Sequence, residues 1–323
     1  MNFPVFDLHC DTALSLMGKD YSCQGNLKNN QGHIDLARAA TLSGYAQCFA
    51  CFTSTWEKLP EGITVTDVFE REMIAVLKEI EKNQDVIRQA YSAEDVRKNH
   101  QDGYMSAILT IEGPAGFGFD PELLESLYMV GFRVSTLGWN EKNPLTGSHV
   151  TGGGLTELGK EYVKEAQRLG MIIDVSHISD EGFWDIMDIT QGPVIASHSN
   201  SRAVHNTSRN LTDDMFRAIC QTGGVAGFNQ FSLFVGDDAD LDKACDHFFH
   251  FLDLDPDCKH IALGGDLDGC DTLVKGFAGV QDYPILAQRL LDRGMTEQMV
   301  FDIFWNNPLG VMDRAVRNHN KPK

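Results

Sequence analysis

The sequence has no run of the roughly 18 apolar residues that a membrane-crossing helix needs. It does not open on a basic segment followed by an apolar one, the pattern of a secretory leader. Its first strand-like stretch begins at Val5. A cytoplasmic protein is the expectation from these two absences. Positive charge is scarce as well: 27 Lys and Arg stand against 46 Asp and Glu, a formal net charge of −19. Such a surface repels phosphate backbones and gains nothing from anionic lipid, so neither nucleic acid nor membrane is an expected partner. No Gly-x-Gly-x-x-Gly follows the first strand-like segment, which weakens a doubly wound dinucleotide fold. The eight cysteines are scattered rather than arranged as a disulfide framework. Cys48 and Cys51 have the spacing of a metal-binding pair but lack a second pair, and they lie in the apolar run from Tyr45 to Phe52. They read as buried strand thiols. No linker, repeat or low-complexity stretch divides the 323 residues, so one domain over residues 1–323 is expected.

What the sequence does contain is a regular alternation. Strand-like segments fall at Val5–His9, Tyr45–Phe52, Met105–Glu112, Phe132–Gly138, Met171–His177, Val194–His198, Gly224–Asn229 and Ile261–Gly265. Several are short continuous apolar runs, as expected of parallel strands covered on both faces. Helical patterns lie between them. Val65–Lys82 places Val68, Phe69, Ile74, Leu77 and Ile80 near one stripe. Asp120 and Pro121 mark a helix start, and Gly170 marks a helix end. Further helices are expected at Ser179–Asp188, Thr212–Gln221, Leu241–Leu252, Tyr283–Arg293 and about Glu297–Phe304. Eight strands alternating with helices predict a (β/α)8 TIM barrel. The long stretch from Ala13 to Ser43 is expected to adorn its mouth.

In such a barrel the C-terminal strand ends converge on one pocket. Four of these strand ends carry metal-binding side chains, and a fifth carries a carboxylate with two possible roles. His9-Cys10-Asp11 closes the first, and residues i and i+2 of an extended chain share a side, so both can grip one cation. Glu112 closes the third and precedes Gly113-Pro114, a turn that fixes its aim; its two oxygens suit a bridge between metals. His177 and His198 close the fifth and sixth, and neutral imidazole suits zinc. Asp266, in Gly264-Gly265-Asp266-Leu267-Asp268-Gly269, closes the eighth and could serve as a ligand or as a base. His247 and His250 are spaced i, i+3 on a helix but lack this strand-end setting, so they read as a helix face. His205 follows the His198 loop and could line the pocket. The other histidines carry no such signal.

The ordered motifs resemble the membrane (renal) dipeptidase family of the amidohydrolase-like barrels. They are His9-x-Asp11, Glu112-Gly113, Asp174-Val175-Ser176-His177, Ser197-His198-Ser199, Ser208-Arg209-Asn210 and Gly264-Gly265-Asp266-x-Asp268-Gly269, with Gly32-His33-Ile34-Asp35-Leu36 after the first strand. The resemblance covers the chain from Asp7 to about Pro308. It implies two zinc ions, one held by His9 and Asp11, the other by His177 and His198, with Glu112 bridging them. It implies Asp266 as the acid/base and Arg209 as the reader of a substrate's C-terminal carboxylate. A planar guanidinium pairs bidentately with that group. Mammalian members carry a histidine that contacts the scissile carbonyl. The matching stretch here, Thr136-Leu137-Gly138-Trp139-Asn140, has Trp139 at that place, and an indole offers one N–H donor and no positive charge. Trp139 and Asn140 are read as lining the substrate.

The function so implied is zinc-dependent hydrolysis of dipeptides by a hydroxide shared between two metals, L-Xaa–D-Xaa dipeptides included. A homodimer fits the family. Trp139 keeps open another metal-dependent amidohydrolase, acting on a cyclic amide, a lactone or an N-acyl amino acid. A ligand-binding barrel without chemistry is the reading that an intact His9, Asp11, Glu112, His177, His198 and Asp266 opposes.

Overall fold

All eight expected strands form and run parallel; across the sheet they lie in the order Val194–Ile195, Ile172–Asp174, Phe132–Thr136, Met105–Glu112, Tyr45–Phe52, Val5–Cys10, Ile261–Leu263 and Ala226–Phe228. The protein is seen here as a computed structural model that describes residues 2–319, with side chains through Ala315. The strands are β1 (Val5–Cys10), β2 (Tyr45–Phe52), β3 (Ile87–Gln89), β4 (Met105–Glu112), β5 (Phe132–Thr136), β6 (Ile172–Asp174), β7 (Val194–Ile195), β8 (Ala226–Phe228) and β9 (Ile261–Leu263). A bridge between Ala196 and Ala226 joins the two ends, with Ala196 N donating to Val225 O at 3.0 Å and Gly227 N to Ala196 O at 2.8 Å. The sheet thus closes into an eight-stranded barrel. β3 is the addition that the sequence pattern did not reveal. It pairs with Met105–Ala107 of β4, below the stretch Leu109–Ile111 that β5 takes up.

Alternation along the strands sorts the side chains. Phe6, Leu8, Ala46, Cys48, Ile108, Val134, Ile172, Ile195 and Ala262 form one cluster, closed by Trp305, Leu309 and Met312. These fill the barrel and its floor. Their neighbours in sequence, among them Val5, Tyr45, Ala107, Ile173, Val194 and Ile261, belong to the larger cluster under the helices. Cys48 sits inside and Cys51 outside, both buried among apolar side chains.

The helices start where their caps dictate. Thr64 and Asp67 form a reciprocal capping box ahead of Val65–Lys82. Thr156, Ser179 and Thr212 each accept a first-turn N–H, and Gly170 ends Glu157–Leu169 in the left-handed conformation. Pro121 opens a short 3-10 turn before Leu124–Val130. The last expected helix stops at Phe301, passes through a π turn at Asp302–Asn306, and continues as Asn307–His319. Pro308 follows the π turn directly, and that turn is where the continuous helix accommodates the donor the proline lacks. No helix among the described residues is long and apolar enough to cross a membrane.

Candidate metal centre

Inner-face parity on β1 would turn Phe6, Leu8 and Cys10 toward the barrel axis. A register shift between Asp7 and Cys10 changes that. Two residues of β1, Leu8 and His9, stand against the single residue Cys48 of β2. Beyond such a bulge the parity is reversed, so Cys10 joins the outer core while His9 and Asp11 turn inward. Asp7 clamps the bulge: its carboxylate accepts His9 N at 3.0 Å, Gly265 N at 3.0 Å and the Tyr283 hydroxyl. On β4 no reversal is needed. Ile108, Thr110 and Glu112 keep one parity to the strand end, and Gly113 then turns at φ +78°, where a Cβ would strike Thr53 O.

The result is a buried cluster of facing donor atoms. His9 Nε2 lies 3.3 Å from Asp11 Oδ2 and 3.2 Å from Glu112 Oε2. The other oxygen, Glu112 Oε1, lies 3.0 Å from His177 Nε2 and 3.9 Å from His198 Nε2. Glu112 therefore turns one oxygen to each histidine group. Asp266 Oδ1 is 3.9 Å from His9 Nε2, and its Oδ2 accepts Asn229 Nδ2 at 2.9 Å. A Cβ at Gly269 would overlap both Asp11 Oδ2 and Asp266 Oδ1, so glycine lets these two carboxylates converge. His177 and Asp266 hold left-handed backbone at φ +71° and +56°, a strain that non-glycine residues tolerate where the surroundings fix them.

Neighbouring groups set which nitrogen of each ring faces inward. His177 Nδ1 is 3.0 Å from Asn140 Oδ1, and His198 Nδ1 is 2.6 Å from Ser197 Oγ. Ser197 Oγ donates in turn to Asp174, whose other oxygen accepts Ser176 N and Ser197 N. Each ring thus keeps its proton on Nδ1 and aims the lone pair of Nε2 at the cluster.

A divalent cation fits these residues. His9 Nε2 and Asp11 Oδ1 are buried without a hydrogen-bond partner. The Nε2 atoms of His177 and His198 face each other at 2.9 Å, two lone pairs in need of a shared positive charge. Donor atoms of His9, Glu112 and His198, and of His9, Asp11 and Asp266, lie within metal-binding reach of one another. The electrostatics agree. Burial raises Asp11 to about 6, with the Glu112 carboxylate adding to it. Burial also raises Asp266 to about 6, helped by Asp11 and Glu112 against His9 and Arg209. Burial depresses His9, yet Glu112 and Asp11 outweigh it and hold the ring well above its usual value. Burial takes His177 and His198 well below theirs, with Arg209 contributing to both. Two neutral imidazoles beside crowded carboxylates suit a divalent cation, whose charge would also displace the proton that Glu112 and Asp11 hold on His9.

Arg209 is 3 % exposed. Its Nη1 donates to Ser199 Oγ at 2.6 Å, while Nε and Nη2 have no partner. It lines a small cavity with His177, His149 and Ser199. Trp139 packs edge-on against Phe52 at 5.2 Å and flanks the His177 ring at 6.3 Å. Asn140 does not present a free amide oxygen: both His177 and His149 Nε2 bond to Oδ1, the latter at 2.9 Å. His247 and His250 diverge, one bonded to Val235 O and Ser201 N, the other to Asp213. The bonded groups of His205 lie along its own loop, with its N–H on Ser201 O, outside the cluster.

Asn229, Asp174, Ser197 and His149 were not singled out from the sequence. Asn229 ends an expected strand, as the ligands do, and that was its signal. Asp174 and Ser197 lie inside motifs that were recognised for their histidines. His149 gave no signal, because its loop lies outside any strand end.

The whole chain, residues 1–323, matches the family model described as membrane dipeptidase, peptidase family M19. An uncharacterized dipeptidase of Schizosaccharomyces pombe is 33% identical over 224 residues, covering 67% of this chain and 54% of that protein. The chain thus spans about half the length of that relative. A solved metallo peptidase described as dipeptidase AC superposes with a TM-score of 0.88 at 27% identity, covering 98% of this chain and 99% of that one. A metallo peptidase from Rhodobacter sphaeroides, solved with a phosphinate mimic of the dipeptide L-Ala-D-Ala, gives 0.87 at 26% identity over 98% and 100% of the two chains.

Proposed function

The chain belongs to the membrane dipeptidase family, and from that premise we propose that it is a metallo-dipeptidase with a binuclear zinc centre, carried by one domain over residues 1–323. The observation that carries the reading is the pair of Glu112 oxygens, one toward His9 and one toward His177. His9 and Asp11 would hold one ion, His177 and His198 the other, with Glu112 between them. When bound, the ions would supply a water that ionises near neutral pH and polarise the scissile carbonyl.

The chain's own groups do the rest. Asp266 takes the proton of the attacking water on Oδ1 and returns it to the leaving amine. The amide of Asn229 holds Oδ2 and leaves Oδ1 free for that exchange. Arg209 offers two unpaired, buried N–H groups to the free C-terminal carboxylate of the substrate. Its charge acts on Glu112, His177 and His198, and a carboxylate bound that near the cluster would limit the substrate to a short peptide. Trp139 flanks the His177 ring and would wall that side of the site. The Rhodobacter structure with its L-Ala-D-Ala mimic favours L-Xaa–D-Xaa dipeptides among the substrates.

The test is turnover of L-Xaa–L-Xaa and L-Xaa–D-Xaa dipeptides, each with a free and an amidated C-terminus, by protein with metal quantified on the same sample. Release of amino acids from the free forms only is the expected result. Metal-loaded protein that splits none of them, or splits both forms equally, would overturn the reading.

A further inference from the structure

His149 lies outside the six metal-centre residues and their strand ends, yet it reaches the centre through one intermediary. Both of its ring nitrogens are engaged. Nδ1 is 3.1 Å from Ser208 Oγ and Nε2 is 2.9 Å from Asn140 Oδ1. The same Oδ1 atom is 3.0 Å from His177 Nδ1. A carbonyl oxygen has two lone pairs, and here two imidazole N–H groups occupy both. The backbone repeats the link, because His149 N donates to His177 O at 2.8 Å. The Asn140 main chain is fixed as well. Ser148 Oγ donates to its carbonyl at 2.6 Å, and the buried Glu141 beside it accepts Ser54 Oγ and Thr55 N, both at 3.1 Å.

This arrangement leaves Asn140 no spare lone pair for a substrate. It also leaves His149 no free N–H with which to replace the histidine missing at Trp139. What it does fix is an angle. An amide oxygen bound by one ring alone can swing about the Asn140 side-chain torsions. Bound from two sides, with Ser208 holding the far edge of His149, it cannot.

We propose that His149 is a positioning residue that acts through Asn140, locking the His177 ring so that its Nε2 faces Glu112 at the metal centre. The inference rests on the binuclear reading above, but it concerns one half of the centre only. Groups that orient a metal ligand in this way are worth about 10–100-fold in metal affinity.

The experiment is titration of cobalt(II) into metal-stripped protein, followed by the visible d–d spectrum. Wild type is expected to take up two ions. His149→Leu keeps the bulk but removes both hydrogen bonds; it should weaken one of the two sites by about 10–100-fold and alter that site's bands. His149→Gln, which can donate to Asn140 and accept from Ser208, should recover most of that loss, as a purely space-filling role would not predict. Cobalt binding by His149→Leu with wild-type affinity and spectrum overturns the proposal. Should that variant fail to fold, by circular dichroism, Asn140→Ala answers the same question: a one-site loss supports the proposal and unchanged binding overturns it. Dipeptide turnover is read separately. Two tightly bound cobalt ions with no turnover would sink the dipeptidase reading and leave the role of His149 standing.

Discussion

The two ends of this barrel obey opposite rules. The floor and interior are built from Phe6, Leu8, Ile108, Ile172 and Ile195, strand side chains of one alternating face, with Trp305 of the π turn packed beneath them. The mouth, a few residues further along the same strands, buries His9, Asp11, Glu112, His177, His198 and Asp266. There the alternation is broken by a bulge and the backbone enters left-handed conformations. The floor lowers the free energy of the fold, while the mouth raises it by crowding carboxylates that burial alone pushes toward protonation. A chain keeps such a cost where a cation can offset it, and so the contrast itself points to the mouth as the face that works.

The contrast is broken most severely at Glu112. Glu112→Ala removes a carboxylate shared by both histidine groups, and metal affinity should fall by more than the roughly 100-fold upper bound for an orienting group. Metal content after dialysis checks this. Asp266→Asn separates the two roles of the mouth: bound metal should remain, while kcat falls by about 10²–10⁴-fold, the usual worth of a positioned acid/base. The same substitution should raise the melting temperature of the metal-stripped protein, since it relieves the crowding with Asp11 and Glu112. Arg209→Ala should cost roughly 10²–10³-fold in kcat/KM on free dipeptides and little on amidated ones, the loss expected when one partner of a buried charge pair is removed. The floor should respond in the reverse sense. Ile108→Ala, four residues below Glu112 on β4, should lower stability by about 2–5 kcal/mol in urea unfolding and leave the turnover of each folded, metal-loaded molecule unchanged.

How far the sequence reveals the two ends follows from the same contrast. Apolar runs and strand-end polar residues are local signals, and they located all eight barrel strands and the residues of the cluster. β3 escaped because three residues, Ile87–Gln89, carry too little pattern. The helix Asn307–His319 escaped because Pro308 reads as a stop, whereas the π turn just before it lets the helix run on past the proline. The bulge on β1 could not be read, because its cause lies in the distant Gly265 and Tyr283 that clamp Asp7. Asn140 was expected at the substrate, and its bonds to His149, nine residues on, and to His177, 37 residues on, emerge only once the loops are brought together.

A smaller effect separates buried polar groups outside the mouth. Burial holds His247 at about 4, with both ring nitrogens bonded to main chain. The unfolded ring binds its proton near 6.5, so the unfolded state gains protons first as pH falls. The stabilisation is full above pH 6.5 and is lost as pH drops toward 4, by at most about 3 kcal/mol. His247→Gln should flatten that part of the urea-stability profile relative to wild type.

The central claim is that the mouth holds two ions on either side of one carboxylate. A crystal of the zinc-loaded protein, measured at the zinc absorption edge, tests it most directly. The expected result is two anomalous peaks flanking Glu112, one against His9 and Asp11 and the other against His177 and His198. A single peak, or none with Glu112 still between the histidines, would contradict it.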